Sequence, residues 1–377
     1  MARNRRRARI VMLDLDSWDG LGEWGSSLRQ HGLPVVRVVR PRRRWRIIRR
    51  LLDRWQFGAS PVEVTGAPGR DPRVLDVLAP PTVDVQGPET QLGAMDELLP
   101  EDSPAKDLLR RVPDAIGQET LYDKWRMTQL AIQHGLQVPG SWTHAPPDTF
   151  PLVVKGRISA GGQDVEVVRN SQELDDALSR MQQRDNGGVF VQQVFDGPVL
   201  NAAGVAKNGV LLVHAVYEAS PAPHDPFGPP VTLCVLDRPD ILVELRGLIG
   251  ALGYTGIFCI DYVQDTRNRI GMVDFNPRVF GGWLQLQLAG IDFIGAYRHS
   301  LDLAPTPAFH PLAPGTTLEV QLLAPRADRP GEAAHGARQS LRAIRGAARV
   351  TGWRFAALKS TRAIGRAAAD AARSLRT

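Results

Sequence analysis

The stretch GIFCIDYVQDTRNRIGMVDFNPR, residues 256–278, decides how this chain is read. Two apolar runs flank a polar turn, which is the pattern of a β-hairpin. Asp274 and Asn276 stand two apart on one strand and so point to one face, and Asp261 on the preceding strand can lie opposite them. Acids inside otherwise apolar strands are costly to bury without a partner. Two carboxylates and a carboxamide are hard oxygen ligands of the kind that hold Mg²⁺ jointly with phosphate groups. Arg278, two residues on, adds a planar fork for a transferring phosphoryl group or a carboxylate.

Lysine is scarce in this chain, five residues against 41 arginines, and two of the five open informative segments. Lys124 begins DKWRMTQLAIQHGLQVPGSW (123–142), within a helix expected over 120–134 and closed by Gly135. Lys155 ends a strand at 151–155 in PLVVKGRISAGGQDVEVV (151–168), and a second strand follows at 164–168. Either lysine alone would be an ordinary surface cation. With the loop Gly156–Gly162 between the strands, they make a phosphate cradle. The backbone N–H groups of Gly161 and Gly162 can approach phosphate oxygens because no Cβ intervenes.

The rest of the chain supplies the frame. An apolar run at Arg9–Asp16 suits a buried first strand, SSLRQHG a helix, and Pro34–Val39 a second strand. Gly20, Gly22 and Gly25 match G-x-G-x-x-G, the turn of dinucleotide-binding folds. The end of strand two, however, is Arg40-Pro41-Arg42-Arg43-Arg44 instead of an acid, which disfavours NAD. Residues 40–56 read as a basic amphipathic helix, with Trp45, Ile48, Leu52 and Trp55 on one stripe. Residues 58–73 read as a loop, and VLDVLAPPTVDVQGPETQLGAMDELL as a second αβ unit closing near residue 105. Asn170 and Ser171 cap a helix running to about 182. Asn208-Gly209 fits a type I′ hairpin turn. Residues 218–231 read as a mobile proline-rich segment carrying His224. A helix at Asp237–Leu252 stops at Gly253, and another starts near 283.

Charge is uneven. Residues 1–54 carry +10 and residues 335–377 carry +9, so the middle carries −13 of the net +6. Basic ends can attract anionic lipid or nucleic acid. No recognisable nucleic-acid reader accompanies them, which argues against nucleic acid. Cys234 and Cys259 both sit in apolar runs, pointing to a reducing compartment. No apolar stretch reaches the roughly 20 residues that span a bilayer. The expectation is a cytoplasmic protein, peripheral at an anionic membrane if the basic helix and tail dock there.

The segments 123–142, 151–168, FVQQVFDG and GYTGIFCIDY…GMVDFNPRVFGG…LAGIDF, taken in this order, resemble the ATP-grasp superfamily. The likeness is nearest to its carboxylate–amine ligases and carbamoyl-phosphate-synthetase-like branch. It implies an α/β (α+β) architecture: a Rossmann-like domain over 1–105, a small nucleotide-binding lobe over 106–190 and a large lobe over 191–330. The Ala/Arg-rich stretch 331–377, beyond the likeness, reads as a basic helical tail. The likeness implies that Lys124 and Lys155 hold ATP phosphates under the loop of Gly161 and Gly162. Gln192, Gln193, Val194 and Phe195 would form the hinge that pairs with adenine through its backbone. Asp261, Asp274 and Asn276 would bind Mg²⁺, or Mn²⁺, and Arg278 would steady the transferred phosphate as the catalytic residue. Two departures stand out. Asp274 takes a position often held by Glu, and Val199 falls where an acid often meets the ribose, leaving Asp196 as its neighbour. The expected activity is ligation of a small carboxylate to an amine through an acylphosphate, in a chain that the likeness suggests is a homodimer. The alternatives are an ATP-grasp kinase and a non-catalytic nucleotide-binding protein docked on a membrane.

Overall fold

The computed structural model describes residues 8–15, 19–41, 51, 53–54, 56–144, 146–159, 164–184, 187–221 and 230–319. Gly161, Gly162, His224, the tail 331–377 and most of the basic stretch 40–56 lie outside these residues, including Trp45, Ile48, Leu52 and Trp55.

Three sheets organise the described chain. The first is parallel, with strand order β3-β2-β1-β4, formed by β1 (Arg9–Leu13), β2 (Val35–Val39), β3 (Val62–Glu63) and β4 (Thr82–Gln86). Strand β1 is buried on both faces, as parallel strands are. Ile10 and Met12 pack with Leu21, Trp24 and Leu28 of helix α1 (Asp19–Gln30). Val11 and Leu13 pack with Val74 and Leu78 of α2 (Pro72–Leu78) and with Leu92 and Met95 of α3 (Glu89–Leu98). Helix α1 starts seven residues earlier than expected, so Gly20, Gly22 and Gly25 are helical and form no phosphate-binding turn. A Cβ on Gly25 would come within 2.6 Å of the Met12 sulfur, so that glycine serves close helix–strand packing. The stretch expected to be loop, 58–73, contributes the short β3 and a 3₁₀ turn at Pro68–Arg70.

The second sheet is antiparallel, with order β5-β8-β6-β7: β5 (Ser141–Trp142), β6 (Leu152–Gly156), β7 (Val165–Val168) and β8 (Val189–Gln193). It has its own core, in which Leu152, Val154, Val168 and Val191 meet Leu174, Ala177 and Met181 of α5 (Ser171–Gln182). The helix begins where the sequence indicates: the Asn170 side chain accepts the Glu173 N–H at 2.9 Å, and Glu173 accepts the Arg169 N–H at 2.8 Å. Along the chain, α4 (Lys124–Gln133) lies between the first two sheets, and it packs against residues 270–276. Asp123 caps it, accepting the N–H groups of Trp125 and Arg126 at 2.9 and 3.1 Å.

The third sheet has order β13-β12-β9-β10-β11-β14 and is antiparallel throughout. Its strands are β9 (Val199–Lys207), β10 (Val210–Pro221), β11 (Pro230–Val235), β12 (Gly256–Gln264), β13 (Ile270–Asn276) and β14 (Thr317–Glu319). Asn208 and Gly209 turn the β9–β10 hairpin with positive φ of 49° and 79°, as a type I′ turn demands. Residues 218–221 continue β10 and residue 230 opens β11, so the ends of the segment read as mobile are strand; 222–229 lie outside the described residues. Helix α6 (Pro239–Leu252) ends at left-handed Gly253 and packs Ile241, Leu245 and Leu248 into the core shared with the first sheet. Helices α7 (Trp283–Ala289) and α8 (Phe293–Ser300) cover the other face, where Trp24 meets Trp283 edge-on with ring centroids 4.8 Å apart.

A buried polar knot fastens the first sheet to the third. Asp84 of β4 forms an ion pair with Arg111 through one oxygen, and its other oxygen accepts from Tyr297 of α8 and, at 2.7 Å, from Gln86. Asp84 is 1% exposed, and burial of this kind is tolerated because the charge is paired and hydrogen-bonded. No helix among the described residues is long and apolar enough to cross a membrane.

Candidate active site

The β12–β13 hairpin sets Asp261 directly opposite Asp274, and Cys259 opposite Asn276. All three expected metal-binding side chains therefore share one face. The Asn276 amide donates to Asp261 at 3.2 Å, and Asn201 of the neighbouring β9 donates to the other Asp261 oxygen at 2.6 Å. Burial, followed by the facing carboxylate of Asp274, raises Asp261 to about 6, against the pull of Arg278 and Lys124. Such a cluster favours a cation.

Two lysines reach it from elsewhere in the chain. Lys124, the first residue of α4, places its ammonium 2.5 Å from both oxygens of Asp274. Its burial would favour the neutral amine, but Asp274 and Glu89 outweigh that and hold its pKa above the ordinary value. Lys155, near the end of β6, donates to the Gln192 side chain at 2.6 Å and to the Val273 carbonyl at 3.3 Å. Among the described residues no carboxylate lies at hydrogen-bond distance from it, and burial lowers its pKa to about 8. These contacts turn one face of the second sheet toward the β13 edge of the third. The end of β6 is also tied to α4: Arg157 pairs with Asp123, and the Lys124 N–H donates to the Arg157 carbonyl at 2.9 Å.

Arg278 is not free. Its Nε donates to Glu89 at 2.5 Å and its Nη2 to the Asn276 oxygen at 2.9 Å. Glu89, the first residue of α3, is 4% exposed. Burial would push its carboxyl up, but Arg278 and then Lys124 hold it below the usual carboxylate range. Sequence reading missed Glu89. Its only local signal is an acid at a helix N-terminus, where the helix dipole favours negative charge. Asn201 was missed as well, since nothing near it in sequence marks it as the neighbour of Asp261.

The expected hinge is divided. Gln192 lies within β8 and turns its side chain to Lys155, while the Gln193 N–H is taken by the Gly140 carbonyl at 2.7 Å. Val194 and Phe195 follow the end of the strand. Near Val199, one oxygen of the exposed Asp196 accepts the Thr266 N–H at 3.2 Å.

Among the described residues no group of three His, Cys, Asp or Glu side chains could hold a metal by itself. The donor set is two carboxylates and one carboxamide. That suits Mg²⁺, which takes one or two carboxylates and completes its shell with water and phosphate oxygens. The Lys124 ammonium on Asp274 already marks the spot as one that takes positive charge.

No family model matches the chain. Pyruvate carboxylase of Pichia angusta is 24% identical over 167 residues, covering 39% of this chain and only 14% of that protein's length. Solved structures give broader likeness. An L-amino acid ligase from Bacillus licheniformis superposes with a TM-score of 0.56 at 17% identity, over 78% of this chain and 74% of that one. N5-carboxyaminoimidazole synthetase from Staphylococcus aureus, complexed with ADP, gives 0.58 at 13% identity, over 80% and 79%. Carboxyaminoimidazole ribonucleotide synthase from Aspergillus clavatus, complexed with ATP, gives 0.64 at 14% identity, over 90% and 87%. The chain has the ATP-grasp fold.

Proposed function

We propose that this protein is an ATP-dependent ligase that activates a small carboxylate as an acylphosphate and joins it to an amine. The observation that carries the reading is the meeting of Lys124, Lys155, Asp261, Asp274, Asn276 and Arg278, drawn from three parts of the chain, at one junction of two sheets. The ligase and synthetase names borne by the structural relatives support it.

In this reading ATP lies between the second and third sheets. Its adenine rests near Val194 and Phe195, and its phosphates lie against Lys124 and Lys155. Asp261, Asp274 and Asn276 would hold Mg²⁺, which would supply charge neutralisation at the phosphates. The substrate carboxylate attacks the γ-phosphorus and ADP leaves. The amine then attacks the acyl carbon, expelling phosphate and losing a proton. Lys155, whose charged form dominates below about pH 8, and Arg278 stabilise charge on the phosphoryl oxygens. Catalysis is thus positioning and electrostatics, with no protein nucleophile. Domain limits at residues 105, 190 and 330 belong to the same proposal.

A screen of amino acids and small acids for ATP-dependent phosphate release, with Lys155→Ala as the blank, tests it. Release of ADP and phosphate that requires both a carboxylate and an amine is the expected result. A phosphorylated product accumulating in stoichiometric amount would make the protein a kinase instead.

A further inference from the structure

We propose that the nucleotide site tolerates loss of the sugar hydroxyls, because the span between its base end and its phosphate end is a belt of valines. The inference rests on the nucleotide reading above. Residues paired across antiparallel strands share a face. In the second sheet Lys155 pairs with Val165, and Val153 with Val167. All three valines therefore flank Lys155 on the face that looks toward the third sheet. Val165 and Val167 are 43% and 37% exposed.

In the third sheet Asn201 pairs with Asp261 and Val199 with Val263. Val199 and Val263 thus carry the acids' face two residues, about 6.7 Å, further along the strands. That direction leads to residues 194–198, the segment that joins β8 to β9. A sugar between adenine at that segment and phosphates at the acids has to cross these valines.

The polar side chains nearby are turned away or engaged. Gln193 pairs with Leu152, whose side chain lies in the core on the far face of the second sheet. Gln264 accepts from Arg238 at 3.2 Å and donates to Asn268 at 2.7 Å. One Asp196 oxygen accepts the Thr266 N–H, which draws that side chain toward the β12–β13 turn beyond Val263. Among the described residues, Val199 at 45% exposure is what a sugar edge meets first on the large sheet.

A hydroxyl held by a carboxylate is worth roughly ten- to a hundredfold in affinity, and this belt offers no such partner. The test is calorimetric binding of ATP, 2′-deoxy-ATP and 3′-deoxy-ATP, each with Mg²⁺ and without other substrates. Dissociation constants within threefold of one another are expected. A loss above threefold for either deoxynucleotide overturns the inference while leaving the nucleotide site intact. Failure of ATP itself to bind defeats the nucleotide reading instead. In Val199→Glu the preference for ATP over the deoxynucleotides should rise at least fivefold. An unchanged ratio in that variant would place the sugar elsewhere and also overturn the inference.

Discussion

The ammonium of Lys124 lies 2.5 Å from both carboxylate oxygens of Asp274, a residue 150 positions away in sequence. A divalent ion at Asp274 would need those same oxygens. Lysine and metal therefore compete until a nucleotide arrives to take the lysine onto its phosphates. Mn²⁺ binding without nucleotide, read by electron paramagnetic resonance, should be weak in the wild type and at least about tenfold tighter in Lys124→Met, where a charge-assisted contact of some 1.5–3 kcal/mol no longer has to be broken. The same variant should bind ATP more weakly.

Lys155 gives the site a pH signature. Burial lowers it to about 8, and the neighbouring Lys124 adds to the effect against the attraction of Asp274 and Asp261. Phosphate favours its charged form, so binding above pH 8 must take up a proton. ATP affinity should be flat below that point and fall about tenfold per pH unit above it. Lys155→Met should bind weakly and lose this dependence. The stability effect has the opposite sign to that of an ordinary ion-paired lysine. Because the folded pKa lies below the unfolded value of about 10.5, this group's contribution to stability rises as pH climbs from about 8 toward 10.5.

Glu89 and Arg278 form a buried ion pair between α3 and the end of β13. Glu89→Gln leaves the guanidinium without its charge partner and should cost about 3 kcal/mol, seen as a lower melting temperature. The folded Glu89 carboxyl is held below its ordinary 4.5. Its contribution is complete above that value and is lost as pH falls through the folded one. The acid limb of the stability curve should accordingly be shallower in Glu89→Gln.

Much of this structure could be read locally. The Asn170 cap, the Asn208-Gly209 hairpin and the Gly253 stop all appear where their short-range chemistry places them. The face shared by Asp261, Asp274 and Asn276 follows from a period of two along strands. What could not be read depends on chain segments far apart. Glu89 meets Arg278 across 189 residues, and Asp84 meets Tyr297 across 213; neither pair leaves a trace in spacing. The glycine triplet, which reads as a tight turn, lies in a helix for a physical reason: Gly25 is required by the approach of α1 to Met12, and the same residue type serves close packing as readily as a turn.

The Asp84 knot predicts how the fold comes apart. Asp84→Asn removes the charge that Arg111 is buried against, and should destabilise the chain by about 3–5 kcal/mol. Because Arg111 and Tyr297 bind the same carboxylate, Arg111→Met and Tyr297→Phe should be strongly non-additive in chemical denaturation, with a coupling of about 0.5–3 kcal/mol. Simple additivity would show that the knot does not act as one unit.

Calorimetric titration with a non-hydrolysable ATP analogue and Mg²⁺, on the wild type, Lys155→Met and Asp274→Asn, decides whether one nucleotide bridges the second and third sheets. The wild type should bind a single equivalent, and each variant should bind at least about tenfold more weakly, since each loses a charged contact to the phosphates or their metal. Absence of binding by the wild type, or equal affinity in all three proteins, would mean that the junction of Lys124, Lys155, Asp261 and Asp274 is not a nucleotide site.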